Sequence, residues 1–295
     1  MNELRRERLR HAVRFFYDLQ KLRIQTSNRS TTETVELDKA DQTFLDATGS
    51  TLKGLEKNAL KEVQRWLKGV EIYERFLKDQ KGCGPTMSGV IISEVAMCRP
   101  VSPEELNGAT IGKPFMMHDF EYFHVTYSFK KEARDDEKAE TVERRLLCFK
   151  RPGRVEGSYE IWEDLCPYPS SLWAYAGLAV DTESGKAVRR KKGVKSNWNP
   201  FLKTKLVGVL ADCLIKANSD PWKGMYNDYK HRWKSAGKGN SDAHRHNAAK
   251  RYMVKMFLLA LYKKWRELEG LPCRPPYAEE FIGKVHHGGP MAVQP

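Results

Sequence analysis

Cysteine is sparse in this chain, and none of it is paired in sequence. Cys83, Cys98, Cys148, Cys166, Cys213 and Cys273 stand far apart, with no CxxC among them. Neither a zinc ribbon nor a disulfide framework is expected, and the thiols read as reduced core or surface groups. Long apolar runs are also missing. The longest candidate, Met253 to Tyr262, contains Lys255 and falls short of the roughly 18 residues that a membrane-crossing helix requires. The N-terminus, MNELRRERLRHAVRFFYDL, has charges without an apolar signal core. It is not read as a secretory signal, and a cytoplasmic protein is expected.

Acidic residues are the other shortage. Against 51 Lys and Arg there are 38 Asp and Glu, a formal charge of +13. Such a field favours phosphate polymers, because each phosphate neutralised releases condensed counterions. With 295 residues and 40% hydrophobic content, the chain has enough material for two modest domains with a packed core, so it is not a disordered basic tail.

The basic surplus is clustered. Arg189-Arg190-Lys191-Lys192-Gly193-Val194-Lys195 places five cations in seven residues, followed by Ser196-Asn197-Trp198-Asn199 and then by Lys203 and Lys205 at a helix start. These cations cannot be buried together; they need open water or an anionic partner. Interleaving with Trp and Tyr favours nucleic acid as that partner.

Along the chain, Leu4 to Gln25 reads as a helix and Thr26 to Thr34 as a polar stretch. From Leu52 to Lys78, Ala59, Val63, Trp66, Val70, Tyr73 and Leu77 step by fours and threes, a heptad seam. Either a long core-packing helix or a dimerising coiled coil satisfies it, and a homodimer through residues 52–78 is the expected assembly. Lys81-Gly82-Cys83-Gly84-Pro85-Thr86 then reads as a tight hairpin between helices. Its backbone N–H groups, with Lys81, Gly82, Gly84 and Thr86, suit a phosphate. Alternation in Phe123, Val125, Tyr127 and Phe129 predicts a strand and Arg145 to Phe149 a second, with Lys130 to Glu140 as a charged hairpin loop. Helices follow from Ser170 onward, the last running from about Asp242 to Glu269.

The fold class predicted is mainly α: a helix-hairpin-helix and helical bundle, a long coiled-coil-like helix and a small β-containing insertion. The domains expected are 1–50, 51–98, 99–165, 166–275 and a tail at 276–295.

Four blocks carry a family resemblance: GCGPTMSGVIISE at Gly82 to Glu94, SLWAYAGLAVDTESGK at Ser171 to Lys186, KKGVKSNWNPFLK at Lys191 to Lys203, and AHRHNAAKRYMVKMFLLALYKKW at Ala243 to Trp265. In this order they resemble the C-terminal half of the Piv-like insertion-sequence transposases, the bridge-RNA-guided recombinases, and phage-borne relatives that lack the N-terminal nuclease domain. The resemblance implies a subunit-pairing helix, a hairpin and helical domain that hold DNA and structured guide RNA, and a serine that attacks the phosphodiester. Ser196 is the match, with Gly193, Asn199, Leu202 and Lys203 around it. Trp198 stands where the family has a glycine.

The four-carboxylate nuclease half of that family is not recognisable here. Glu36, Asp38, Asp41 and Asp46 sit in polar sequence, whereas two metal ions need carboxylates converging from rigid strands. No cofactor is expected, and magnesium only if a nuclease partner is involved. The leading expectation is a nucleic-acid-binding protein for DNA, structured RNA or both. The alternative is an active recombinase that uses Ser196. A serine in a basic loop is also suited to donate a hydrogen bond to phosphate. His244 and Arg245 at the start of the last helix suit phosphate contact, since His244 and His246 point apart on a helix. Trp198, Trp222, Tyr226, Tyr229 and Trp233 are candidates for stacking on bases, Trp198 first among them.

Overall fold

A computed structural model describes residues 3–30, 38–117, 120–131, 140–153, 156–180, 187–190, 192–276 and 279–280. Lys191, Glu36, the segment 132–139 predicted as a hairpin loop, and the tail from residue 281 lie outside the described residues. The chain forms two compact units, each discontinuous in sequence. One takes residues up to Val95 together with Ala176–Phe257; the other takes Ala96–Tyr175 and the segment that begins at Leu258.

In the first unit α1 (Glu3–Ser30) pairs antiparallel with α2 (Lys39–Leu67). The Arg5 guanidinium donates to the Trp66 carbonyl at 3.2 and 3.1 Å, and Arg23 holds Glu56 at 2.5 Å further along. Leu9, Val13, Phe16 and Leu19 of α1 and Ala59, Val63 and Leu67 of α2 are buried. Asp38 caps α2, its carboxylate accepting the Asp41 N–H at 2.7 Å. Such a cap satisfies a donor that the first helical turn leaves open.

The expected single helix from Leu52 to Lys78 is not formed. After Leu67 the chain turns through Gly69 at φ 75°, and only then come α3 (Glu71–Arg75) and a 3-10 turn (Leu77–Asp79). Glycine takes this left-handed conformation at no steric cost, and it ends helices for that reason. The heptad seam is therefore divided, with Ala59 and Val63 on α2 facing α1, and Tyr73 and Leu77 on the later elements.

The next element, α4 (Pro85–Glu94), is buried from Met87 to Glu94. A helix apolar all round must be covered all round, and α4 packs against α1, α2 and α7 (Pro200–Lys205). Gly89 sets the spacing: a Cβ there would lie 2.8 Å from Val13 Cγ2 and 2.9 Å from Val63 Cγ1. From α7 the chain continues through a π turn (Leu206–Leu210) into α8 (Ala211–Lys216). Then follow α9 (Trp222–Ser235) and α10 (Asp242–Leu268), the latter contributing its residues through Phe257 to this unit.

The second unit overturns the expectation of a mainly-α fold with a small β insertion. Its strands β1 (Cys98–Pro100), β2 (Thr110–Ile111), β3 (Phe115–Met117), β4 (Phe120–Lys131), β5 (Glu140–Pro152) and β6 (Tyr159–Asp164) form a six-stranded antiparallel sheet. The order is β1-β6-β5-β4-β2, with β3 also on β4, curled into a half-barrel. Phe123 opposite Cys148 and Val125 opposite Leu146 set the register of the central pair, and these four with Val101 form the core. The alternation of β4 is legible in sequence. The short strands β1, β2 and β3 have too few residues to alternate, and exist because β4 and β6 offer them unpaired edges.

Asp164 and Arg266 lock this unit. Both side chains are wholly buried, and Arg266 binds Asp164 bidentately at 2.9 and 2.8 Å while donating to the Cys166 carbonyl at 2.8 Å. Tyr122 donates to Asp164 at 3.0 Å and the Cys166 N–H at 3.2 Å. A short helix, α5 (Pro103–Leu106), starts in a capping box between Ser102 and Glu105, and α6 (Pro169–Tyr175) follows β6. Arg99 holds Glu105 at 2.7 Å through both oxygens, and Tyr127 donates to it at 2.9 Å.

Two outcomes are expected. Arg266→Met leaves a buried carboxylate without its cation and should lower unfolding free energy by about 3–5 kcal/mol, with part of the loss recovered by adding Asp164→Leu; denaturant titration of the three proteins checks this. Glu105, held at about 2 chiefly by its bonds to Arg99, loses its proton in the folded state well below the usual carboxylate value of about 4.3. Its contribution to stability is therefore present above about pH 4.3 and lost as pH falls toward 2. Glu105→Gln should flatten the urea midpoint against pH across that window.

Candidate nucleic-acid interface

The basic segment belongs entirely to the first unit. Arg189, Arg190, Lys192 and Lys195 are exposed, and Gly193 turns the chain at φ 77°. Beyond that turn the side chains are increasingly anchored. The Trp198 ring lies against Gly177, where a Cβ would come within 2.6 Å of Trp198 Cε3 and φ is 67°. Lys203 spans the assembly, its Nζ 4.3 Å from the Trp198 ring centroid and donating to the Val188 carbonyl at 2.8 Å.

Asn199 performs two tasks. Its Oδ1 accepts the Leu202 N–H at 3.0 Å, capping α7, while its Nδ2 donates to Glu94 Oε2 at 2.6 Å. The other Glu94 oxygen takes Arg14 at 2.6 Å. This carboxylate is 7% exposed, and its two partners come from α1 and from the start of α7. The Arg14 guanidinium also lies 3.6 Å from the Phe201 ring centroid. Lys205 Nζ sits 3.2 Å from the Tyr17 centroid, and burial pushes the Tyr17 phenol up to about 12.

Arg251 on α10 is close enough to repel two of the lysines. The lysine pKa values of Lys203 and Lys255 are lowered, first by burial and then by the charge of Arg251. Lys205 is lowered in the same way, by burial and by Arg14. Among the described residues neither Lys203 nor Arg251 pairs with a carboxylate. The neighbouring Lys250 does, at 2.7 Å from Asp212.

Beside these cations lies a row of rings. Tyr229 and Tyr252 stack at 4.3 Å with 19° between planes, Trp233 follows at 5.5 Å from Tyr229, and His244 meets Trp233 edge-on at 6.0 Å. All four are half-buried or exposed. Arg232 lies 5.2 Å over Tyr229 and 5.8 Å over Tyr252. Trp222 and Tyr226, by contrast, are buried, the indole N–H donating to Gln80 at 2.8 Å and the phenol paired with His246 Nδ1 at 2.6 Å.

The remaining predicted positions are placed as follows. In the hairpin, Lys81 and Gly84 are exposed and Thr86 is half-buried in the first turn of α4. Gly82, at φ 88°, is pressed to the backbone of α8, where a Cβ would come 2.7 Å from the Cys213 carbonyl oxygen. Arg245 donates to the Gly239 carbonyl at 2.9 Å. Ser196 is half-buried, and among the described residues no side chain hydrogen-bonds to it.

Sequence reading missed Glu94 and Arg14, whose pairing depends on residues far apart in the chain. It gave Tyr252 and Arg251 no role and noted Lys255 only as a charge within an apolar run. Their spacing of four on α10, with Tyr252 between them, was the available signal.

Among the described residues no cluster of three or more His, Cys, Asp or Glu is placed to hold a metal ion, and no helix is long and apolar enough to cross a membrane. Cys83, Cys98, Cys148 and Cys166 are buried, and burial pushes each thiol up to about 12. No protein-family model, curated protein or solved structure matches this chain.

Asn199→Ala should remove the cap of α7 and one of the two bonds to buried Glu94. A loss of about 2 kcal/mol in unfolding free energy is expected, together with faster amide exchange in the first turn of α7. Hydrogen exchange of wild type and variant measures it.

Proposed function

We propose that this protein binds nucleic acid on its first unit, along the exposed cations of Arg189 to Lys195 and the half-buried cations of α7 and α10. The observation that carries the proposal is the group Lys203, Arg251 and Lys255. The lysine pKa values of Lys203 and Lys255 are lowered by burial first and then by repulsion from Arg251. A polyanion that binds alongside them relieves that repulsion and gains by counterion release. The exposed charges of the preceding turn extend the same positive surface in sequence, and the ordered blocks that resemble the C-terminal half of Piv-like transposases support the same ligand class.

Within this reading Ser196 is a phosphate contact. Nucleophilic attack needs an activating base, and no described side chain hydrogen-bonds to the serine hydroxyl.

Fluorescence anisotropy with labelled DNA and RNA, between about 50 and 200 mM salt, tests the proposal. Wild type should show a linear loss of log affinity with log salt. A triple variant, Arg189→Gln, Arg190→Gln and Lys192→Gln, should bind more weakly, with the slope reduced by about one for each phosphate that is no longer neutralised. Absence of salt-dependent binding to any of these nucleic acids would overturn the reading.

A further inference from the structure

The row of rings on α9 and α10 has features that a core cluster does not need. A core aromatic cluster is closed by aliphatic side chains, because any charged neighbour must be desolvated. Tyr252, Tyr229 and Trp233 instead stand in a cationic rim. Arg232 is exposed and lies over both tyrosine rings. The charge of Arg251 reaches Tyr229 as well as Lys203 and Lys255.

The geometry points to a single-stranded nucleic acid as the ligand, with unpaired bases stacking on Tyr252 and Trp233, at the two ends of the ring row, while its phosphates run along Arg232, Arg251 and Lys203. This inference rests on the nucleic-acid reading above and specifies the class of nucleic acid. Three arguments support it. Tyr252 and Tyr229 are near-parallel at 19°, so a planar base on Tyr252 extends an existing stack, while Trp233 is tilted 32° from Tyr229 and presents a ring of its own. The 4.3 Å spacing of the Tyr252–Tyr229 pair is of the order of the step between neighbouring stacked rings. The combination of a cationic track with a run of aromatic faces is how single strands are held without sequence preference, since every base has a π-face. A duplex hides those faces within its own stack, and it would engage only the cations.

The rings are also fixed before binding. Trp233 lies against Tyr229 at 5.5 Å, His244 meets the edge of Trp233, and a Cβ at Gly239 would lie 3.4 Å from Trp233 Cε3. Ordering entropy that would otherwise be lost on binding is already spent in folding.

The test compares a thymidine dodecamer, the same dodecamer with abasic sites at its central positions, and a duplex of equal length, each with wild type and with the double variant Tyr252→Leu, Trp233→Leu. The leucines keep apolar volume and remove the ring faces; circular dichroism and thermal melting verify folding. Wild type should bind the intact single strand at least tenfold more tightly than the abasic strand. The double variant should lose about tenfold or more on the intact strand, no longer distinguish it from the abasic one, and retain the wild-type salt slope. Should the variant fail to fold, ultraviolet cross-linking of wild type to an iodouracil dodecamer decides, the expected cross-links falling on α9 or α10 at these rings. Equal wild-type affinity for intact, abasic and duplex ligands would overturn the stacking site while leaving nucleic-acid binding intact, as would cross-links confined to other elements. Failure to bind any of the three would overturn both.

Discussion

Glu94 is a carboxylate that the fold has taken out of water, and the arrangement of the first unit depends on how that charge is satisfied. A buried carboxylate without partners costs several kcal/mol. Here Arg14 from α1 and Asn199 from the start of α7 each supply a bond of 2.6 Å. Three elements distant in sequence are thereby held to one another at a single side chain. Because Asn199 also caps α7, the direction in which that helix leaves the basic segment is set by the same contact. Gly89 makes the approach possible one helical turn earlier on α4, where Val13 and Val63 occupy the space a side chain would need.

Around this clamp the two signs of charge are treated differently. Several carboxylates of the first unit are engaged with cations: Glu94 with Arg14, Glu56 with Arg23, Asp212 with Lys250, Asp242 with Lys230. Exposed cations also stand along the turn after Val188, and Arg251 lies near enough to Lys203 and Lys255 to repel them. A sequence optimised for stability alone would spread such charges over the surface. Concentrating them is a local violation of stability, of the kind that marks functional sites. The second unit shows the opposite economy of charge, with Asp164 and Arg266 meeting in full hydrogen-bonded geometry and no like charge among the partners named for them.

Several features were legible from the amino-acid order because they depend on near neighbours. The alternation from Phe123 to Phe129 forms the central strand β4, and Gly82 marks the turn between helices that the sequence places there. The basic run could be seen to be unburiable from its charge density alone. These properties follow from periodicity, sterics and electrostatics within a few residues.

Tertiary structure decided the rest. The heptad pattern after Leu52 was compatible with one long helix, and only the packing of α2 on α1, with Gly69 free to turn left-handed, divided it. The sheet grew to six strands because β4 and β6 had edges to satisfy, although segments as short as Thr110–Ile111 carry no strand signal of their own. Trp198 and Trp233 look alike in sequence, yet Trp198 is wedged on Gly177 while Trp233 continues a ring stack with Tyr229 and Tyr252. Composition determined that this protein is basic and that its cations must meet water or an anion. Which rings meet was settled only when Tyr229 of α9 came against Tyr252 of α10, since contacts between residues far apart in the chain leave no periodic trace in it.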